Sequence, residues 1–226
     1  MGQHLESLLA DASLTILLSK ERLQSYSSIQ EHFENLQLIA NITPKLATIE
    51  IALRNLLDHE LSKIDSNWIE NSTNEQMQKE LDKIKNKEKY AILTHHQYLS
   101  KLTLGIVIKT IRDTKLQNSI IDLKDMGFKK YDISNRDYFY LSNNKRSLFN
   151  NINKVDIVLS LLHNLRNRCY HWENIKKMRH KNNMTFPRLT TTMNNTFIGI
   201  HPNKIETFLE DLLRHFDDRL VEYCGN

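Results

Sequence analysis

From Ile29 to Ile64 apolar residues recur at the spacing of one helix face: Phe33, Leu36, Ile39 and Ala40, then Leu46, Ile49, Leu53, Leu56, Leu57 and Leu61. Thr43-Pro44 interrupts the run. A threonine before a proline is a good N-cap and first-turn pair, so the pattern predicts two stacked helices or one helix kinked at Pro44. Ahead of it, residues 1–26 predict one or two helices, with Ser19 capping a start. Asp65 to Asn74 is a polar connection carrying Trp68, and Thr73 opens a charged helix to about Lys89. Thr94 to Arg112 predicts one core helix, apolar around much of its circumference, in which Gly105 permits close approach of a neighbour.

Residues 113–152 are polar and mixed, with a short helix near Leu116 to Asp122. Val155, Ile157, Val158, Leu161, Leu162 and Leu165 then predict a buried helix from Asn153 to about Trp172. Lys176 to Thr196 is basic and then rich in Thr and Asn, which leaves room for one β-hairpin from Phe186–Thr192 and Thr196–Ile200. Pro202 or Asn203 starts a last amphipathic helix through Tyr223. Only 5 Gly and 3 Pro occur in 226 residues, a composition that tolerates long helices and disfavours repeated turns. The expectation is a single all-α domain over 1–226.

The net charge of +4 permits nucleic-acid binding without demanding it. Two cysteines, Cys169 and Cys224, are too few for a disulfide scaffold and lack metal-ligand spacing, which fits a reducing compartment such as the cytoplasm. The apolar stretch Leu8 to Leu18 contains Asp11 and lacks a basic leader, so it is not expected to be a secretion signal. No run approaches the roughly 18 to 20 apolar residues of a membrane span, and no membrane partner is expected. His95, His96, His163, His201 and His215 match no zinc spacing, and no phosphate loop or dinucleotide fingerprint occurs; neither a metal nor a cofactor is expected.

The chemistry concentrates in Leu165-Arg166-Asn167-Arg168-Cys169-Tyr170-His171-Trp172-Glu173, where Arg-Asn-x-x-x-His closes a buried helix. Glu50-Ile51-Ala52-Leu53-Arg54-Asn55 and Leu102-Thr103-Leu104-Gly105 precede it. In this order the three stretches resemble the Glu-x-x-Leu-Arg-Asn, Leu-Thr-Phe-Gly and Arg-Asn-Arg-x-x-His-x-Glu segments of the Abi-like (abortive infection, AbiD/AbiF-type) branch of the HEPN superfamily. The resemblance runs from about Leu23 to Glu173; residues 174–226 are outside it. It implies an all-α, HEPN-like helical bundle with additional N- and C-terminal helices. It also implies a metal-independent endoribonuclease of a phage-defence or toxin–antitoxin system, with RNA as substrate, a homodimer completing the site, and an RNA or protein antitoxin as a further partner.

Cleaving RNA without a metal requires a base for the ribose 2′-hydroxyl, an acid for the leaving 5′-oxygen and positive charge on the transition state. Histidine, with an ordinary pKa of about 6.5, suits proton transfer, which assigns His171; Arg166 would clamp the phosphate, and Asn167 would hold the imidazole tautomer or bind a phosphate oxygen. Arg166 and His171 lie about 140° apart on an ideal helix, so a frayed helix end or a two-fold dimer is needed to bring them together. The alternative is that Arg166 pairs with an acidic neighbour while His171 only caps the helix. Arg168, Tyr170, Lys176, Lys177 and Arg179 are candidates for RNA contact, with Trp172 a second aromatic for stacking. Glu50, Arg54 and Asn55 would line or brace the cleft. Arg54-Asn55-Leu56-Leu57-Asp58-His59 repeats the motif, either as a second half-site or with His59 incidental to a Glu50–Arg54 pair.

Overall fold

A computed structural model describes residues 13–89, 91–181 and 184–224. The first part of the helix expected over residues 1–26, residues 1–12, lies outside the described residues, as does most of the Leu8–Leu18 stretch's first half. Residues 13–18 are helical, and α1 (Lys20–Leu23) follows, its Arg22 amide donating to the Ser19 hydroxyl. The long apolar stretch forms a single helix, α2 (Ile29–Ser62), with Ser28 as N-cap and Pro44 inside it. Neither a second helix start nor two stacked helices occurs at Thr43-Pro44. Instead Thr43 turns its hydroxyl back onto the Ile39 carbonyl at 2.6 Å, and the buried stripe Ile39, Ile42, Leu46, Ile49, Leu53 and Leu57 carries on across the proline. An internal proline costs a helix about 3 kcal/mol. Packing on both sides of it offsets that cost: buried Lys45 reaches Glu206 at 2.7 Å and Glu210 at 3.3 Å on the helix that covers this face.

Helix α3 (Glu75–Lys87) starts one residue later than expected, because the Asn74 side chain accepts from the amides of Gln76 and Met77. The helix expected over Thr94 to Arg112 is two, α4 (His95–Lys101) and α5 (Leu104–Asp113). Leu102 and Thr103 are extended between them, and the Thr103 hydroxyl caps α5; capping chemistry overrides continuous apolar periodicity here. After the short α6 (Gln117–Ile120) and a 3₁₀ turn at Phe128–Lys130 comes α7 (Asn151–Tyr170), opened by a reciprocal Asn150/Asn153 capping box. The last expected helix is also divided, into a 3₁₀ turn at Pro202–Lys204, α8 (Ile205–Phe216) and α9 (Arg219–Cys224).

The all-α expectation is corrected by three two-stranded antiparallel sheets among the described residues: β1 (Phe139–Ser142) with β2 (Lys145–Leu148), β3 (Met178–Lys181) with β4 (Met184–Pro187), and β5 (Thr190–Met193) with β6 (Thr196–Gly199). The fold is mixed, a partial helical bundle carrying three hairpins. Strands of four residues are too short for alternation to emerge from sequence. The local signal lay in the turns. Asn143 and Asn144 both adopt positive φ, 48° and 60°, as a two-residue hairpin turn between right-twisted strands requires. The single hairpin expected from Phe186–Thr192 and Thr196–Ile200 is met in its second strand, whereas Phe186 pairs with Arg179 in a different sheet.

Helices α2, α5, α7 and α8 form the core, with α7 contacting α2, α5 and β5. Val155, Val158, Leu161, Leu162, Leu165 and Cys169 are the buried stripe of α7. Burying each large aliphatic side chain contributes about 1.5–3 kcal/mol, so this stripe fixes the rotation of the helix and which side chains its other face presents. No helix among the described residues is long and apolar enough to cross a membrane.

Two hairpins meet at Gly199, where a Cβ would stand 2.6 Å from Pro187 Cγ and 3.2 Å from Thr190 Oγ1. The Asn135 side chain bonds both the amide and the carbonyl of Gly199, so the backbone cannot retreat. Gly199→Ala is expected to destabilise by about 1–3 kcal/mol through overpacking, read from the shift of a urea unfolding midpoint.

Candidate functional site

With its apolar stripe committed to the core, α7 turns His163, Arg166, Asn167 and Tyr170 to its other side, at the i, i+3, i+4 and i+7 spacing of one face. The Arg166 guanidinium lies over the Tyr170 ring, Cζ 4.1 Å from the centroid, in a cation–π contact. Its Nε is 3.6 Å from Glu50 Oε2, while Glu50 Oε1 accepts from Arg54 Nη2 at 3.0 Å. One carboxylate therefore serves two guanidiniums, leaving one positive charge in excess. The three side chains are only 27, 13 and 15 % exposed for Arg166, Glu50 and Arg54, so solvent screens this group less than an open surface pair. The acidic neighbour of Arg166 is Glu50.

Arg54 also donates to the Leu102 carbonyl at 3.1 Å, an acceptor freed where the chain is extended between α4 and α5. Three residues on, Gly105 faces His163, where a Cβ would come within 3.3 Å of the imidazole Nε2. The stretches 50–54, 102–105 and 163–170 thus converge, although Asn55 is exposed and stands outside the group.

Asn167 does not orient His171. Its side-chain amide donates to His163 Nε2 at 3.2 Å, an arrangement that needs the ring nitrogen unprotonated. Burial, reinforced by Arg166 and Arg112, pushes the His163 pKa below the ordinary histidine value and favours that neutral form. His163 is the member of this face that the sequence analysis weighed only as a zinc ligand, and set aside. Its i−4 relation to Asn167 was the available signal.

His171 is the C-cap of α7, and its amide donates to the Asn167 carbonyl at 3.0 Å. The helix ends in a compact turn and does not fray: the Trp172 amide bonds the Cys169 carbonyl at 3.0 Å and the Glu173 amide bonds the Arg168 carbonyl at 2.9 Å, the two bonds of a Schellman motif. The His171 side chain is exposed and has no hydrogen-bond partner among the described residues. Among the described residues no side-chain hydrogen bond, ion pair or ring contact joins Arg166 to His171 or to a shared partner. The clefts lined by Asn118 and Lys124, by Glu34 and Asn203, and by Arg112 and Ser160 include neither.

Of the candidates for RNA contact, Arg168 bonds Glu173 at 2.6 Å, and Arg188 bonds the same carboxylate. Lys176 pairs with Glu34 of α2 at 2.5 Å, while Lys177 and Arg179 are exposed. Tyr170 and Trp172 are 53 and 52 % exposed. In the second motif copy Arg54 is likewise held by Glu50, and also by the Leu102 carbonyl, and His59 is exposed as His171 is. Its neighbour Asp58 instead accepts from Trp68 Nε1 at 2.8 Å and contacts His95 Nε2 at 2.6 Å. Comparison of the chain with protein-family models, with curated proteins and with solved structures gave no match.

Glu50→Ala would leave two half-shielded guanidiniums facing each other, and a loss of about 1–3 kcal/mol in urea unfolding is expected, smaller for Glu50→Gln. The pKa of buried His32 is also pushed down, by burial and then Arg22. For both histidines the folded chain binds the proton less readily than the unfolded chain. Their contribution to stability is complete above about pH 6.5 and is lost as pH falls through the folded-state values. The urea midpoint should therefore drop between pH 7.5 and 5, and drop less in His163→Gln.

Proposed function

We propose that this chain is a metal-independent endoribonuclease of the abortive-infection or toxin–antitoxin kind, as its resemblance to the Abi-like branch implies. The observation that supports the reading best is the end of α7. An exposed imidazole, without a hydrogen-bond partner among the described residues, follows within five residues a guanidinium held in a group with excess positive charge. In the reaction an imidazole accepts the 2′-O–H proton, the 2′-oxygen attacks phosphorus, the P–O5′ bond breaks and the 5′-oxygen takes a proton from an imidazolium. The products are a 2′,3′-cyclic phosphate and a 5′-hydroxyl. Arg166 keeps its proton and balances charge on the phosphorane-like transition state.

Arg166 and His171 are five positions apart, about 140° around an ideal helix, so a two-fold homodimer bringing the two motifs into one cleft is the arrangement that serves this chemistry. The bond from Asn167 to His163 favours a second reading, a non-catalytic RNA- or protein-binding module, because it leaves His171 without an orienting side chain.

Total RNA incubated with the protein in EDTA is expected to yield fragments ending in 2′,3′-cyclic phosphate. His171→Ala should lower the rate by about 10²-fold or more with its helical circular dichroism unchanged. Cleavage retained by that variant removes His171 from the mechanism, and binding without scission in the wild type favours the module.

A further inference from the structure

Trp172 occupies the position after the α7 cap at φ 54°, the left-handed region where glycine is usual and a bulky side chain is strained. The residue is 52 % exposed, so about half of the indole stays open to solvent. The turn is nevertheless held from several sides. Arg22 Nη1 donates to the Trp172 carbonyl at 2.7 Å, Asn35 donates to the Glu173 carbonyl at 3.1 Å, and Asn174 donates to the Ser25 carbonyl at 2.8 Å. A half-exposed aromatic thus stands on a turn pinned by these bonds, in a backbone conformation that costs energy, an outlier of the kind that marks a site in use. Its immediate surroundings are cationic: Arg22 is on its carbonyl, and Arg168 and Arg188 share the single carboxylate of Glu173.

We infer that Trp172 is a stacking residue for an unpaired base of a nucleic-acid strand, with the adjacent guanidiniums facing the phosphates on either side of that base. An indole face accepts any base, and guanidiniums supply the attraction to backbone; bases inside a duplex would not offer their faces. The inference deepens the reading of the α7 end as an RNA-acting surface and rests on it. It assigns the contact to a residue with no part in the proton transfers.

The full chain is titrated with a fluorescent 2′-O-methyl RNA oligonucleotide, which has no 2′-hydroxyl to attack, and with the same strand annealed to its complement. Affinity is read by anisotropy. The single strand is expected to bind more tightly than the duplex and to quench tryptophan emission. Trp172→Gly, which suits the left-handed backbone and should melt no lower than wild type, is expected to weaken single-strand binding about tenfold, and Trp172→Phe to retain most of it. Equal affinity of Trp172→Gly and wild type, or a preference for duplex, overturns the inference. So does a loss that tracks a change in oligomer mass by light scattering, since the indole would then be serving a chain-to-chain contact. The ribonuclease reading fails separately: a wild type that cleaves nothing, yet binds the strand through Trp172, leaves this inference standing.

Discussion

Glu50 sits where α2 passes α7, and among the described residues its carboxylate is the only negative charge in contact with Arg54 and Arg166. Two guanidiniums at such range repel each other, the more so because they are largely shielded from water. The shared carboxylate lets both remain there, and it couples three parts of the chain far apart in sequence. Arg54 reaches on to the Leu102 carbonyl, which is available only because Thr103 caps a new helix. Arg166 in turn lies on Tyr170, at the last turn of α7. Helix packing sets the backbone, and this electrostatic junction determines which way the polar face of α7 is dressed.

The core helices were legible because their apolar stripes are long. Ile39 to Leu57 and Val155 to Leu165 repeat over many turns, and burial of those side chains outweighs local preferences, including that of Pro44. Breaks were less legible, since each is decided by one residue. Thr103 divides a stretch whose periodicity reads as continuous, because a hydroxyl that satisfies an orphan amide competes with one more helical turn. The hairpins were least legible. Their strands are four residues long, and the β1–β2 and β5–β6 hairpins owe their place to left-handed Asn residues in their turns and to contacts such as Asn135 with Gly199, which joins residues 64 positions apart.

At the site, sequence pattern identified the Glu50–Arg54 pair and the position of Arg166 at a helix end, both consequences of regular helical spacing. It misassigned the partner of Asn167. Residues four before and four after an asparagine are equally near it in a helix, and sequence does not say which imidazole will be half-buried. Three-dimensional packing decides this: His163 lies against Gly105, while His171 lies beyond the last turn. The left-handed backbone of Trp172 was equally out of reach, since nothing in its residue type announces a conformation that glycine ordinarily takes.

The partnership of α2 with α8 bears on how the protein comes into being. Lys45 finds both of its acidic partners, Glu206 and Glu210, on a helix some 160 residues downstream, and the buried stripe of α2 is covered from the same direction. Contacts of such separation form late, after the entropy of closing a long loop has been overcome. During synthesis, α2 emerges from the ribosome long before its cover and waits with apolar surface open to solvent or to a chaperone. The α7 terminus, although translated in full, is held on an incompletely packed support until the C-terminal helix docks.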